Sequence, residues 1–221
     1  MLDSLIETND VTVPVNGTRG RPLALRGRLA LPAPPTGLVI FAHGSGSNRQ
    51  SPRSIAVAEV LHESWIGTLL VDLLTEQEAD SRASVFDIAL LTERLLAVVR
   101  FVGGYEQTKH LPLGLFGAST GAAAALAASA CEPAVRAVVS RGGRPDLAGR
   151  RLRAVHVPTL LIVGGDDTDV LALNRQAFAE LDCEEKVLAI VPGASHLFEE
   201  PGALDEVARL AAEWFTNHLH D

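Results

Sequence analysis

A single, mostly parallel eight-stranded α/β sheet with helices on both faces is the fold class predicted for this 221-residue chain. Three observations carry the prediction. Short apolar, β-branched runs alternate with longer amphipathic stretches along most of the sequence, the pattern of strands crossed over by helices. Two alternating segments at the front, Val11–Val15 and Leu23–Ala30, flank the turn signal Asn16-Gly17, so the sheet starts with an antiparallel hairpin. In mid-chain, Gly117-Ala118-Ser119-Thr120-Gly121 joins the apolar run Leu113–Phe116 to the helix former Ala122–Ala128.

The elements follow in order. Pro32, Pro34 and Pro35 make a stiff connector, after which Leu38–Ala42 reads as a buried strand. Ser51-Pro52 starts a helix running to about Trp65, with serine at the N-cap and proline in the first turn. Thr68–Asp72 is the next strand. A helix from about Ala83 to Val102 is drawn by Val85, Ile88, Leu91, Leu95, Val98 and Val102 at three- to four-residue spacing, a core stripe. After the Leu113–Phe116 strand and its helix come the strand Val135–Ser140 and the apolar run Val157–Gly165. A helix near Leu171–Leu181, the strand Lys186–Val191 and a helix from about Ala203 to Leu219 complete the chain. Only Arg141–His156 separates two of these strands, too little for a helical lid, so the site is expected to be shallow and open. One domain spanning 1–221 is expected, and no internal repeat or low-complexity tract appears.

Strand, tight turn and helix around Ser119 give the context of a nucleophile elbow. The turn brings backbone segments together closely enough that its flanking positions need glycine. Ser119 is thereby presented at the apex, beside helix N–H groups that favour negative charge. Such a serine calls for an acid and then a histidine further along the chain. Asp166-Asp167-Thr168-Asp169 follows the Val157 strand, and His196 follows the Lys186 strand. In a parallel sheet these loops share one edge with the elbow. His196 would take the Ser119 proton and return it to the leaving group, with an acid fixing its tautomer.

With Phe41-Ala42-His43-Gly44-Ser45-Gly46-Ser47, Gly164-Gly165-Asp166-Asp167 and Ser195–Gly202 added, the chain resembles the α/β-hydrolase superfamily, and within it the small dienelactone-hydrolase-like branch, over nearly its whole length. The resemblance implies Asp167 as the acid, three residues past Gly164, while spacing alone leaves Asp166 and Asp169 open. Asp72, at the end of its own strand, is an alternative acid less well placed by chain order. The resemblance further implies an oxyanion hole of the Ser45 and Thr120 backbone N–H groups and a structural, loop-positioning role for His43. In one respect the chain departs from dienelactone hydrolases, which use a cysteine where it has Ser119. Cys131 lies a helix away and does not replace it. The implied activity is hydrolysis of a small-molecule carboxylic ester or lactone. An acyltransferase or perhydrolase with the same residues, and a ligand-binding protein on the same fold, remain alternatives.

Composition narrows the classes. A net charge of −8 with dispersed basic residues argues against nucleic-acid binding. No apolar run approaches the ~20 residues that span a bilayer, and the first residues lack a basic n-region and an apolar h-region. No membrane association is therefore expected. Two cysteines, Cys131 and Cys183, make neither a disulfide framework nor a metal cluster, so a cytoplasmic protein with free thiols and no metal is expected. Neither a phosphate loop nor a dinucleotide fingerprint occurs, and no organic cofactor is implied. The sequence leaves oligomeric state open.

Arg141-Gly142-Gly143-Arg144 stands just past a strand end, on the expected active-site edge. Arg49 and Arg144 are expected to be solvated or paired, with Glu59 and Asp146 as candidate partners. Arg141, behind the apolar strand, needs a definite partner, either in a buried salt bridge or in an anionic group of a substrate. It is the candidate substrate-binding residue.

Overall fold

The computed structural model describes residues 6–17 and 22–219. Eight strands form one sheet in the order β1-β2-β4-β3-β5-β6-β7-β8: β1 Ile6–Asn16, β2 Pro22–Pro32, β3 Gly37–Ala42, β4 Ile66–Val71, β5 Leu113–Ala118, β6 Val135–Arg141, β7 Thr159–Gly164 and β8 Lys186–Val191. Only the two ladders of β2 are antiparallel; every pairing from β4 through β8 is parallel. The β1–β2 hairpin is longer than its alternating segments suggest, pairing from Ile6 with Pro32 to Asn16 with Pro22. Asn16 is still laddered, so the connection begins at Gly17, and residues 18–21 lie outside the described residues.

Side chains alternate across the strands and feed two cores. Leu38 and Ile40 of β3 join Leu91, Leu95, Val98 and Val102 of α4 (Ile88–Gly104) on one face. Val39 and Phe41 join Val57 and Leu61 of α1 (Pro52–Glu63) and Val207, Ala211 and Phe215 of the last helix on the other. Fully burying each large apolar side chain contributes about 1.5–3 kcal/mol, so both helix layers are held mainly by this stripe burial. α5 (Thr120–Ser129) has every residue buried, which its alanines permit by letting it lie close to the sheet.

The helix expected over 83–102 is broken. α2 (Glu76–Ala79) and α3 (Arg82–Val85) are single turns, and α4 starts only at Ile88. Asp87 explains the break. Its carboxylate accepts the Leu90 N–H at 3.0 Å and so caps a new helix, while Phe86 is left exposed. Past β6, Pro145–Ala154 is a 3₁₀ stretch kinked at Gly149 (φ 57°), not a lid. α6 (Thr168–Glu180) and α7 (Ala203–His218) complete the layers. Among the described residues, no helix is long and apolar enough to cross a membrane.

Candidate active site

Ser119 sits between β5 and α5 at φ 50°, ψ −121°, a conformation that costs a non-glycine residue on the order of 1–3 kcal/mol. Close backbone approach forces it. A Cβ on Gly121 would lie 2.1 Å from the Ala42 carbonyl oxygen, and one on Gly117 would lie 2.4 Å from the Ala122 Cα. Glycine at both positions is thus a steric requirement of the elbow. The strained backbone is tied to the end of β6 and to the segment after it: the Ser119 N–H donates to the Arg141 carbonyl (3.4 Å), and the Arg144 N–H donates to the Ser119 carbonyl (3.0 Å).

Asp167 and His196 come together from the next two strand ends. The Gly165 and Asp166 N–H groups donate to the Val191 and Ala194 carbonyls, stitching the acid loop to the histidine loop. Asp167 occupies the N-cap position of α6 yet caps nothing. Its carboxylate instead accepts from His196 Nδ1 at 2.7 Å, forgoing a cap worth about 1 kcal/mol. That bond puts the neutral ring's proton on Nδ1 and leaves the Nε2 lone pair without a partner among the described residues. Asp166 and Asp169 point to solvent, so geometry selects Asp167 from the three. Two residues after His196, buried Phe198 is held at φ 57°, a second strained position in the same site.

Gly142 links the two halves. Its N–H donates to the Ile162 carbonyl at 2.8 Å. A Cβ there would stand 3.6 Å from His196 Cε1, so the ring lies over the same short segment, Arg141–Arg144, that clamps Ser119. On the other flank, Gly44 approaches so closely that its Cβ would meet Ser119 Cβ at 2.7 Å. The loop continues into a turn closed by the Ser47 N–H on the Gly44 carbonyl (3.2 Å), with Gly46 at φ 71°. Ser45 heads this turn beside Ser119. Thr120, first residue of α5, has an N–H without an intrahelical acceptor.

His43 is held differently. Nδ1 bonds the Gly44 carbonyl (3.0 Å), and Nε2 accepts the Leu73 N–H (3.1 Å), bracing the loop after β3 against the end of β4. Burial lowers its pKa, against the opposing pull of the Gly44 carbonyl and Asp72. Asp72 completes the brace by accepting the Arg49 N–H at 2.7 Å and pairing with the Arg49 guanidinium. Arg49 therefore pairs with Asp72 and not with Glu59, because β3 and β4 are neighbours and deliver the two loops to one place. Arg144 does pair with Asp146, through two bonds of 2.8 Å. Sequence reasoning had no signal for the Arg49–Asp72 clamp, whose members are far apart in the chain.

Arg141 is only 9 % exposed, and no carboxylate pairs with it among the described residues. Its Nε has no hydrogen-bond partner, and its guanidinium carbon stands 5.9 Å from the Phe198 ring centroid. Burial, then repulsion from Arg53, lowers its pKa to about 10. The buried-salt-bridge option raised by the sequence is thus absent here.

A cavity of about 780 Å³ opens beside Ser45 and Thr120, walled by Asn48, Asp72, Gln77 and Arg26. Thr75–Gln77 and Ala79, on the loop carrying α2, form part of its wall. Neither Ser119 nor His196 is among the residues that line it. Among the described residues, no cluster of three or more His, Cys, Asp or Glu could hold a metal ion.

Strand order, elbow and helix layers define an α/β-hydrolase fold without a lid. The chain belongs to the α/β-hydrolase superfamily, in its dienelactone-hydrolase-like branch: it is 50 % identical to a dienelactone hydrolase of Anabaena variabilis, with a TM-score of 0.91 over 98 % of this chain and 100 % of that one. A cold-adapted esterase from an Arctic intertidal metagenomic library (18 % identity, TM-score 0.75, 97 % and 95 % covered) shares the fold. So does the esterase Est1E of Butyrivibrio proteoclasticus (16 % identity, TM-score 0.76, 93 % and 98 % covered). A curated Mycobacterium tuberculosis protein, provisionally named a phosphoribosyl transferase, is 55 % identical over 202 residues. That match takes in 90 % of this chain but 45 % of the relative, so the chain spans less than half of it. No family model matches the chain.

Proposed function

We propose that the protein is a serine hydrolase of small carboxylic esters or lactones. The observation that carries this is the 2.7 Å Asp167–His196 bond, which leaves Nε2 free on a ring that lies against the segment clamping Ser119. In this reading Nε2 removes the Ser119 proton as Oγ attacks the carbonyl carbon. The developing oxyanion is met by the Ser45 and Thr120 N–H groups, an arrangement in which one donor is worth about 3–4 kcal/mol. The imidazolium, stabilised by Asp167, protonates the leaving alkoxide, and an acyl-enzyme on Ser119 remains. Water activated by the same Nε2 then releases the acid and restores the serine.

The large cavity on the oxyanion side accepts one half of the substrate. Free Cys131 and Cys183 fit a reducing compartment such as the cytoplasm. The transferase name of the mycobacterial relative belongs to a chain of which this one matches less than half, and hydrolysis is proposed for the shared part.

The test is 4-nitrophenyl acetate turnover. A burst of nitrophenolate equal to the enzyme, followed by steady turnover, is expected, and Ser119→Ala should lower kcat/KM on the order of 10⁴- to 10⁶-fold. A burst without turnover would point to acyl transfer to another acceptor. No burst and no turnover would leave a binding protein.

A further inference from the structure

We infer that Arg141 and Arg53, with the uncapped start of α1, form a subsite for a compact dianion, a phosphate or phosphonate group carried by the ester substrate. The inference rests on the hydrolase reading and adds the class of substrate.

Five observations converge. Arg141 is a buried charge without a counter-ion, an arrangement costly enough that buried arginines are normally paired. Arg53 reaches the same place from the second residue of α1. Its guanidinium touches Glu199, while that of Arg141 lies over the adjacent Phe198. Two like charges are therefore gathered on one turn of the histidine loop. The Arg53–Glu199 contact is loose, at 3.5 Å with the glutamate two-thirds exposed. Ser195 nearby lowers the Glu200 carboxyl's pKa, one oxygen of that carboxylate, Oε2, is buried without a hydrogen-bond partner, and Glu200 pairs with neither arginine among the described residues. Finally, N-cap Ser51 makes no side-chain bond to the helix, so the N–H groups of Arg53 and Ser54 lack that acceptor.

The pieces suit a tetrahedral dianion better than a carboxylate. A carboxylate's two oxygens fill one guanidinium fork and leave the second charge unmet. Phosphate offers enough acceptors for both forks and the helix start, and its two charges match two guanidiniums. The Arg141 carbonyl accepts the Ser119 N–H, so the side chain that would hold the anion is rooted on the segment that clamps Ser119. Arg141 lines no part of the large cavity, which leaves that space for the other half of the ester.

Three 4-nitrophenyl esters of similar length test the subsite: the butyrate, the hemisuccinate and the 3-phosphonopropionate, at mildly alkaline pH. The phosphonate ester should exceed the butyrate by about ten- to a hundredfold in kcat/KM, chiefly through KM. Arg141→Met and Arg53→Met should each reduce that ratio by about tenfold or more. Preference for the butyrate, or a ratio unmoved in both variants, overturns the subsite, and preference for the hemisuccinate overturns the dianion. A structural role for Arg141 would instead depress all three esters equally and lower the melting temperature.

A second readout needs no turnover. Inorganic phosphate should raise the melting temperature of Ser119→Ala but not of Ser119→Ala/Arg141→Met. A shift without hydrolysis by the wild type would overturn the hydrolase reading alone. Hydrolysis with neither a shift nor a substrate preference would overturn the subsite alone.

Discussion

His43 and His196 stand at the same rim of the sheet, each past the carboxyl end of a parallel strand, and they are held in opposite ways. His43 is half-buried with both ring nitrogens engaged, one on the Gly44 carbonyl and one on the Leu73 N–H. His196 keeps 40 % of its side chain exposed and spends only Nδ1, on Asp167. A histidine without a free nitrogen can brace a loop but cannot shuttle a proton. The difference teaches that a histidine at a strand end is assigned by counting its engaged nitrogens, not by its position in a motif.

The contrast is sharpest in activity against stability. His196→Ala should lower ester kcat/KM on the order of 10⁴- to 10⁶-fold while leaving the melting temperature near that of the wild type. Asp167→Asn should follow at about 10⁴-fold, because an amide cannot stabilise the imidazolium. Asp166→Asn and Asp169→Asn, on exposed side chains, should stay within about tenfold. His43→Ala should invert the balance. It removes two bonds and strands the Leu73 N–H, for a loss of about 2–3 kcal/mol in stability, with a smaller effect on turnover. Equal behaviour of the two histidine variants in both assays would erase the distinction.

A smaller effect follows from protonation. Burial holds the folded-state pKa of His43 below its ordinary 6.5, so near that pH the unfolded chain binds more protons than the folded one. Its contribution to stability is complete above 6.5 and is lost as pH falls through that value toward the folded pKa. His62, also lowered by burial and by Arg28, acts in the same direction. Between about pH 8 and about pH 5 the melting temperature should fall, and it should fall less in His43→Gln. An identical slope in the two proteins would show that His43 accepts its proton without cost.

Much of this arrangement was legible in the sequence, for local reasons. Apolar runs marked β3 to β8, and the Gly-x-Ser-x-Gly turn marked the elbow, because strands and close turns write their needs into neighbouring residues. Asp167 was reached by counting from Gly164 along a family resemblance. Spacing alone could not separate it from Asp166 and Asp169, since the choice depends on where the next strand delivers His196. The break before α4 was missed because the apolar stripe runs on through Val85, while a single capping carboxylate on Asp87 decides the boundary. The Arg49–Asp72 clamp and the gathering of Arg53 with Arg141 are products of strand and loop adjacency. No local pattern records them.

The central claim is that Ser119 is the activated nucleophile of a relay through His196, and covalent labelling tests it most directly. A fluorophosphonate probe, with the adduct located by mass spectrometry, should modify one site per chain, on the peptide bearing Ser119. Labelling should be fast in the wild type and in His43→Ala, and nearly abolished in His196→Ala. An adduct on Cys131 or another residue, or labelling of Ser119 at the same rate without His196, would contradict the account.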